Sequence, residues 1–265
     1  MKEYFISEID IEKLYHLSDI KIKLDSNKRQ HLLLTGKNGS GKTSLLLEIE
    51  KFLRAINDEK LSQVFDQYPT WINEAKKKVL SASSDSEKYA ADKDLKQCLG
   101  FLKKYSDGVQ INLNQYEGLE MMYHNGKFIT AYFPSERKAQ FMRPNGVENI
   151  TLENTYGIDE SAGDILLKYM VHLKTQQAYA RNEGDQTTAN QIQKWFDRFD
   201  SALQILLDEE SIHIEYDYKK YDFKIRQNGR EPFSFNELSD GYSSVIYIVS
   251  DLILRMDKNW LLEDK

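Results

Sequence analysis

Eight residues carry the clearest chemistry: Gly36-Lys37-Asn38-Gly39-Ser40-Gly41-Lys42-Thr43 fits G-x-x-x-x-G-K-[ST], a pattern for holding the phosphates of a nucleotide. The glycines let the backbone curl so that successive N–H groups point inward and form an anion nest. A helix opening at the loop adds its N-terminal N–H groups and the positive end of its dipole. Lys42 would set an ammonium against the β- and γ-phosphates, and the Thr43 hydroxyl would join water and phosphate oxygen around Mg²⁺. The candidate nucleotide-binding set is Gly36, Asn38, Gly39, Ser40, Gly41, Lys42, Thr43 and Ser44.

Such a loop needs a strand before it and a helix after it. His31-Leu32-Leu33-Leu34-Thr35 is a short apolar run of the kind found in a buried parallel strand. Ser44 to Leu53 has helical composition, with Leu45, Ile49 and Phe52 at helical spacing. Further upstream, Tyr4 to Ile9 and the alternating Ile20 to Leu24 are predicted as strands, and Asp25 to Lys28 as a turn.

The bulk properties narrow the classes. A hydrophobic share of 40% in 265 residues supports a real core rather than global disorder. The net charge of −6 does not point to nucleic acid or membrane by itself. Cys98 is the only cysteine, which excludes an intrachain disulfide and a cysteine-rich metal site. A charged N-terminus and the lack of a run near the roughly 18 apolar residues of a membrane span lead to the expectation of a cytoplasmic protein with no membrane partner.

Residues 58–107, rich in Lys, Glu, Ser and Ala, read as a helical insertion broken near Ser81 to Ser86. From Trp71 to Lys104 eight lysines stand against five acids, which reads as a solvated helix face. Leu119–His124 and Lys127–Phe133 read as a hairpin turned by Asn125-Gly126, with Pro134 ending its second strand. Residues 135–159 look like loop. Residues 160–208 read as two helices parted by Asn182 to Asp185, the second striped by Ile192, Trp195, Phe196, Phe199, Leu203 and Leu206. This pair is expected to project from the core. Ser211–Tyr216 and Tyr221–Arg226 read as strands followed by an Asn228-Gly229 turn, and an apolar helix is expected from Ser243 to Met256. No linker divides the chain, so a single domain over 1–265 is expected.

A second motif, Leu238-Ser239-Asp240-Gly241, opens that last helix about two hundred residues after the first. A serine hydroxyl and a glycine N–H at a helix N-terminus make another anion site. With GKNGSGKTSLLLEI and ELSDGYSSVIYIVSDLILRM in this order, the chain resembles the ABC-type ATPases of the RecF/SMC-like branch, which includes ATP-binding proteins of bacterial anti-phage systems of the retron and Septu type. The resemblance implies an α/β P-loop NTPase head domain with N-terminal β-strands and helical insertions at about 58–107 and 160–208. It implies ATP and Mg²⁺ as ligands and a head-to-tail dimer with another copy or a related subunit. Each ATP would lie between the phosphate loop of one subunit and Leu238, Ser239, Asp240 and Gly241 of the other. It also implies an effector partner and a glutamine that senses Mg²⁺ and water, for which Gln140 is the nearest candidate.

Hydrolysis in that family uses a strand ending in Asp-Glu and then a histidine, both after the signature helix, and no such segment lies between that helix and Lys265. The chain therefore reads as the N-terminal portion of a longer ATPase. Ile205-Leu206-Leu207-Asp208-Glu209 looks like the missing strand but precedes the signature and continues a helical stripe, so it reads as a helix end. Asp159-Glu160 reads as a helix start, and His124, His172 and His213 suggest no metal site. Two other readings stand beside the ATPase: a non-hydrolysing nucleotide sensor or scaffold, and a nucleic-acid-binding module using Arg137, Lys138 and Arg143 near Phe133 and Phe141. The guanine-reading N-K-x-D pattern is absent, which favours ATP.

Overall fold

The computed structural model describes residues 3–134 and 141–260. Two compact units divide the chain, Met1–Thr130 and Ala131–Lys265. The phosphate loop belongs to the first and the second motif to the second.

In the first unit, β1 (Ile6–Leu14) is the centre of an antiparallel sheet in the order β2-β1-β3, with β2 at Leu17–Lys23 and β3 at Val109–Leu113. Its register sets Ile9 between Ile22 and Ile111, and Ile11 between Ile20 and Val109. Such β-branched cross-strand pairs stabilise a half-buried sheet. The period of two puts Ile9 and Ile11 into one core with Leu45, Phe52, Ala55 and Ile56 of α1 (Lys42–Asn57). The opposite pleat is ionic, with Lys21 bridging Glu8 at 3.3 Å and Asp10 at 2.8 Å.

The insertion is a π-helical turn (Gln63–Gln67), α2 (Tyr68–Ser81) and α3 (Asp85–Lys103). The break predicted near Ser81 to Ser86 falls where Ser84 caps α3, its hydroxyl accepting from the Glu87 N–H. The hairpin expected around Asn125-Gly126 is absent. Leu119–His124 is a helix, α4, whose buried Leu119 and Tyr123 are four residues apart. Gly126 sits at φ 68, with Gly126 N–H donating to Tyr123 O and Lys127 N–H to Met122 O. That is a Schellman closure, which uses the same left-handed glycine that a hairpin turn needs. The expected second strand, Phe128 to Phe133, is not formed: the chain bends at Phe128 and runs on without a ladder, and Tyr132 N–H reaches Ile158 O instead.

The second unit holds a short 3₁₀ turn (Ala162–Ile165), α5 (Leu166–Asn182) and α6 (Gln186–Leu207), then β4 (His213–Asp217), β5 (Asp222–Arg226), β6 (Phe233–Ser234) and α7 (Asp240–Trp260). The three strands form an antiparallel sheet in chain order. The α5–α6 pair does not project. Its stripe is the core of this unit: Trp195 stacks on Phe199 at 5.5 Å, Phe196 on Phe223 of β5 at 6.0 Å, and Phe235 closes on Phe141 at 5.4 Å. A stripe that wide has to be buried against other elements, and β5 offers Phe223 and Ile225, both fully buried.

Polar groups fix α7 in this apolar setting. Arg255 pairs with Asp251 one turn away, and its guanidinium also donates to the carbonyls of Tyr156, Gly157 and Glu160. Asp251 accepts from the Gly163 N–H at 3.0 Å. Further on, Asp257 accepts from the Tyr169 hydroxyl, and the Trp195 indole N–H lies near it outside hydrogen-bond geometry. Burial holds the Asp257 carboxyl above the usual carboxylate range, against the lowering pull of Tyr169, Trp195 and Arg198. An acid raised in the fold favours folding most below its unfolded-state pKa, and the contribution fades as pH rises through the folded value. Asp257→Asn is expected to flatten this slope and to raise stability at pH 8 by on the order of 1 kcal/mol, read from urea unfolding at pH 5 and pH 8.

Candidate functional site

The loop between β2 and α1 is built on left-handed glycines: Gly39 at φ 79 and Gly41 at φ 88, with Gly36 at φ 148 where the curl begins. Gly41 is the N-cap of α1, its carbonyl accepting from the Leu45 N–H at 2.9 Å. Lys42 and Thr43 therefore stand on the first turn of the helix, where the unpaired N–H groups and the dipole's positive end lie. The Lys42 ammonium folds back over the loop and donates to Gly36 O at 2.8 Å and Lys37 O at 2.9 Å, with Ser40 Oγ at 3.5 Å. Ser40 N–H closes onto Lys37 O at 3.2 Å.

A cleft of about 530 Å³ opens over this loop, lined by Asn38, Gly39, Ser40, Gly41, Lys42, Thr43 and Ser44. All of the sequence candidates except Gly36 are on its wall. Tyr15 and His16, which the motif did not flag, complete it. They form the turn between β1 and β2, where Leu14 pairs with Leu17. Tyr15 is 78% exposed and left-handed at φ 53, an unfavourable conformation for a residue with a bulky side chain. The turn approaches the loop so closely that a Cβ on Gly41 would lie 2.7 Å from Leu17 Cδ1 and 3.6 Å from His16 Cε1. The volume lies within the range of small-molecule sites. The arrangement offers a cation, hydroxyls and helix N–H groups to an anion, and an aromatic face beside them.

The strand expected at His31 to Thr35 is not formed. The segment is irregular, has no ladder partner among the described residues, and leaves Leu33 84% exposed. Both sheets among the described residues are antiparallel, and neither includes it. An apolar run becomes a strand only when neighbours exchange backbone hydrogen bonds with it.

Leu238, Ser239, Asp240 and Gly241 stand at the start of α7, with Ser243 N–H donating to Ser239 O at 2.8 Å. Ser239, Asp240 and Gly241 are exposed and Leu238 is half-buried. A second cleft of about 410 Å³ lies beside them, lined by Leu238, Ser239, Tyr242, Arg230, Phe233 and Glu209 among others. Leu207 ends α6, Asp208 caps it at φ 51, and Glu209 accepts from Ser211, so this stretch is a helix terminus. Asp159-Glu160 belongs to the loop before the 3₁₀ turn, its Glu160 carboxylate accepting from the Gly157 N–H. Gln140, Arg137 and Lys138 lie outside the described residues. Arg143 is exposed, but Phe141 is packed into the core and offers no face to a base. Among the described residues no cluster of His, Cys, Asp or Glu is arranged to hold a metal. A Mg²⁺ at the loop would draw on Thr43, which is exposed to the cleft, and on phosphate oxygens and water.

No family model matches the chain, and neither a curated protein nor a solved structure matches it. No described helix is long and apolar enough to cross a membrane.

Gly39 and Gly41 separate backbone strain from close packing. A Cβ at Gly39 meets nothing within 4 Å, whereas one at Gly41 meets Leu17. Gly39→Ala is expected to cost about 1 kcal/mol from the left-handed backbone alone. Gly41→Ala is expected to cost about 2 kcal/mol or more, because the β1–β2 turn must also move. Urea unfolding of the two variants against the parent checks the order.

Proposed function

We propose that the chain binds ATP with Mg²⁺ through Gly36 to Ser44, as the ATP-binding component of an ABC/SMC-like dimer with a P-loop NTPase fold. The observation that carries this reading is the loop itself: left-handed glycines feeding a helix whose first residue, Lys42, holds its ammonium on the loop's own carbonyls. Those carbonyls occupy a cation that phosphate would hold more strongly, because a charge-assisted pair outweighs a neutral acceptor. On binding, Lys42 exchanges Gly36 O and Lys37 O for the β- and γ-phosphates. The loop and first-turn N–H groups take the remaining phosphate oxygens, and Thr43 joins the Mg²⁺ shell. Tyr15 gives the base a ring to stack on, which explains why a strained aromatic stands at the mouth of the cleft.

In the dimer, Ser239 and Gly241 of one subunit meet the γ-phosphate held by the other subunit's Lys42, the exposed N-terminus of α7 supplying the same kind of N–H groups. ATP closes the pair, and its loss reopens it. Such a switch suits a cytoplasmic anti-phage defence or DNA-maintenance complex in which closure drives an effector protein.

Fluorescent-ATP anisotropy tests the site. Lys42→Ala is expected to weaken binding by on the order of 100-fold, since a buried phosphate charge loses its counter-charge; unchanged affinity would overturn the assignment. Tyr15→Ala is expected to weaken it about tenfold without altering the Mg²⁺ requirement. Light scattering tests the dimer: Ser239→Arg is expected to leave nucleotide binding intact and to abolish ATP-induced dimerisation. Dimerisation that survives this bulky cation would contradict the role given to the signature.

A further inference from the structure

The outer face of α3 carries a row that the nucleotide site does not use. Tyr89, Lys93, Lys96, Gly100 and Lys103 follow one another at steps of four, three, four and three residues, which lays them along one side of the helix. All five are exposed, and Tyr89 is exposed to 76%. Fourteen residues of helix separate the first from the last, a track of about 21 Å. From Tyr89 onward the row contains no acid. Asp85 ends it one turn earlier, Asp92 borders it half-buried, and Glu87 is taken up with Ser83 at the start of the helix. Neither Lys93 nor Lys96 has an ion-pair partner among the described residues, and Lys103 has only an exposed contact with Asp107 at 3.4 Å.

Gly100 is the second observation. It lies inside the helix, where glycine costs about 1 kcal/mol relative to alanine. Packing does not require it, because a Cβ there would meet nothing within 4 Å. Its backbone is neither left-handed nor a cap. What the missing side chain does is leave bare backbone between Lys96 and Lys103, in the middle of the cationic row. Bare backbone between cations admits close approach of a ligand chain.

Charge selects the ligand. The chain carries −6, while the stretch from Trp71 to Lys104 carries eight lysines against five acids, so the remainder is more acidic still. α3 itself is balanced, with four lysines against four acids, but Glu87 and Asp94 lie off the row, so a polyanion is drawn along the row of lysines rather than to the helix as a whole. The spaced lysines match a repeating phosphodiester better than a single phosphate, and the exposed Tyr89 ring at the end of the row matches an unpaired base. We infer that the outer face of α3 binds single-stranded nucleic acid, with Lys93, Lys96 and Lys103 on successive phosphates, the backbone passing over Gly100, and a base stacked on Tyr89. This inference does not depend on the nucleotide cleft.

Fluorescence anisotropy of labelled oligo(dT)30, titrated with the full chain from 50 to 200 mM KCl, tests it. The parent is expected to bind with an affinity that falls with salt. Lys93→Gln, Lys96→Gln and Lys103→Gln together are expected to lower the salt slope by about two, as three phosphate contacts on a single strand would. Tyr89→Ala is expected to weaken binding about tenfold with the slope unchanged. Gly100→Ala is expected to raise thermal stability and still weaken binding, an opposition that a merely structural glycine would not produce. Circular dichroism melts identify any variant that has unfolded. Absence of binding at 50 mM KCl, or a triple variant with the parent's slope, would overturn the inference. So would tighter binding to a duplex of the same length, or displacement by polyglutamate as effective as by unlabelled oligo(dT). Lys42→Ala is expected to bind the oligonucleotide as the parent does, so a failure here and a failure of the ATP reading are told apart.

Discussion

The first unit depends on keeping the backbone of Gly36 to Lys42 curled inward without a ligand to hold it. Like dipoles that converge repel, and a nest of inward N–H groups is unstable alone. Two contacts offset that cost. Lys42 pulls Gly36 O and Lys37 O together from one side of the loop. Leu17 and His16 lie so close to Gly41 that a side chain there would meet them. The β1–β2 hairpin thus serves the loop twice: its central strand β1 packs Ile9 and Ile11 with α1, and its turn lies against the helix N-cap. Tyr15 takes its left-handed backbone in the two-residue turn of that hairpin.

In the second unit the equivalent constraint is the placement of α7. Its first residues must stay exposed if Ser239 and Gly241 are to meet a phosphate, while Ser250, Asp251, Leu254, Arg255 and Asp257 further along are buried. The Asp251–Arg255 pair fixes that transition by tying the helix to the carbonyls of Tyr156, Gly157 and Glu160 and to the Gly163 N–H. A buried ion pair is a poor source of net stability but a good source of register, since a one-residue slip would leave both charges unpaired. The helix therefore presents one set of residues at its free end.

The motif residues were legible in the sequence because their constraints are local. A positive φ asks for glycine, a helix start asks for a cap, and the spacing fixes Lys42 on the first turn. The long helices were legible for the same reason: the stripe from Ile192 to Leu203 is long and regular. Asn125-Gly126 misled because one backbone state serves two motifs, and only the burial of Leu119 and Tyr123 selects the helix. His31 to Thr35 misled because strand formation is not local; the run has the composition but no described partner. Tyr15 could not be read at all, since nothing in the chain near it signals that a turn will rest on Gly41. Asp251 and Arg255 did leave a signal, two opposite charges four residues apart within the apolar run from Val245 to Met256.

The central claim is that the triphosphate sits on this loop. Amide hydrogen exchange with and without Mg-ATP reads that directly, because the N–H groups concerned are the ones that would bind. Protection is expected over residues 36–45, with a smaller gain over 13–18 where the β1–β2 turn closes on the base, and none of it in Lys42→Ala. Protection confined to other segments, or equal protection of the loop in Lys42→Ala, would contradict the account.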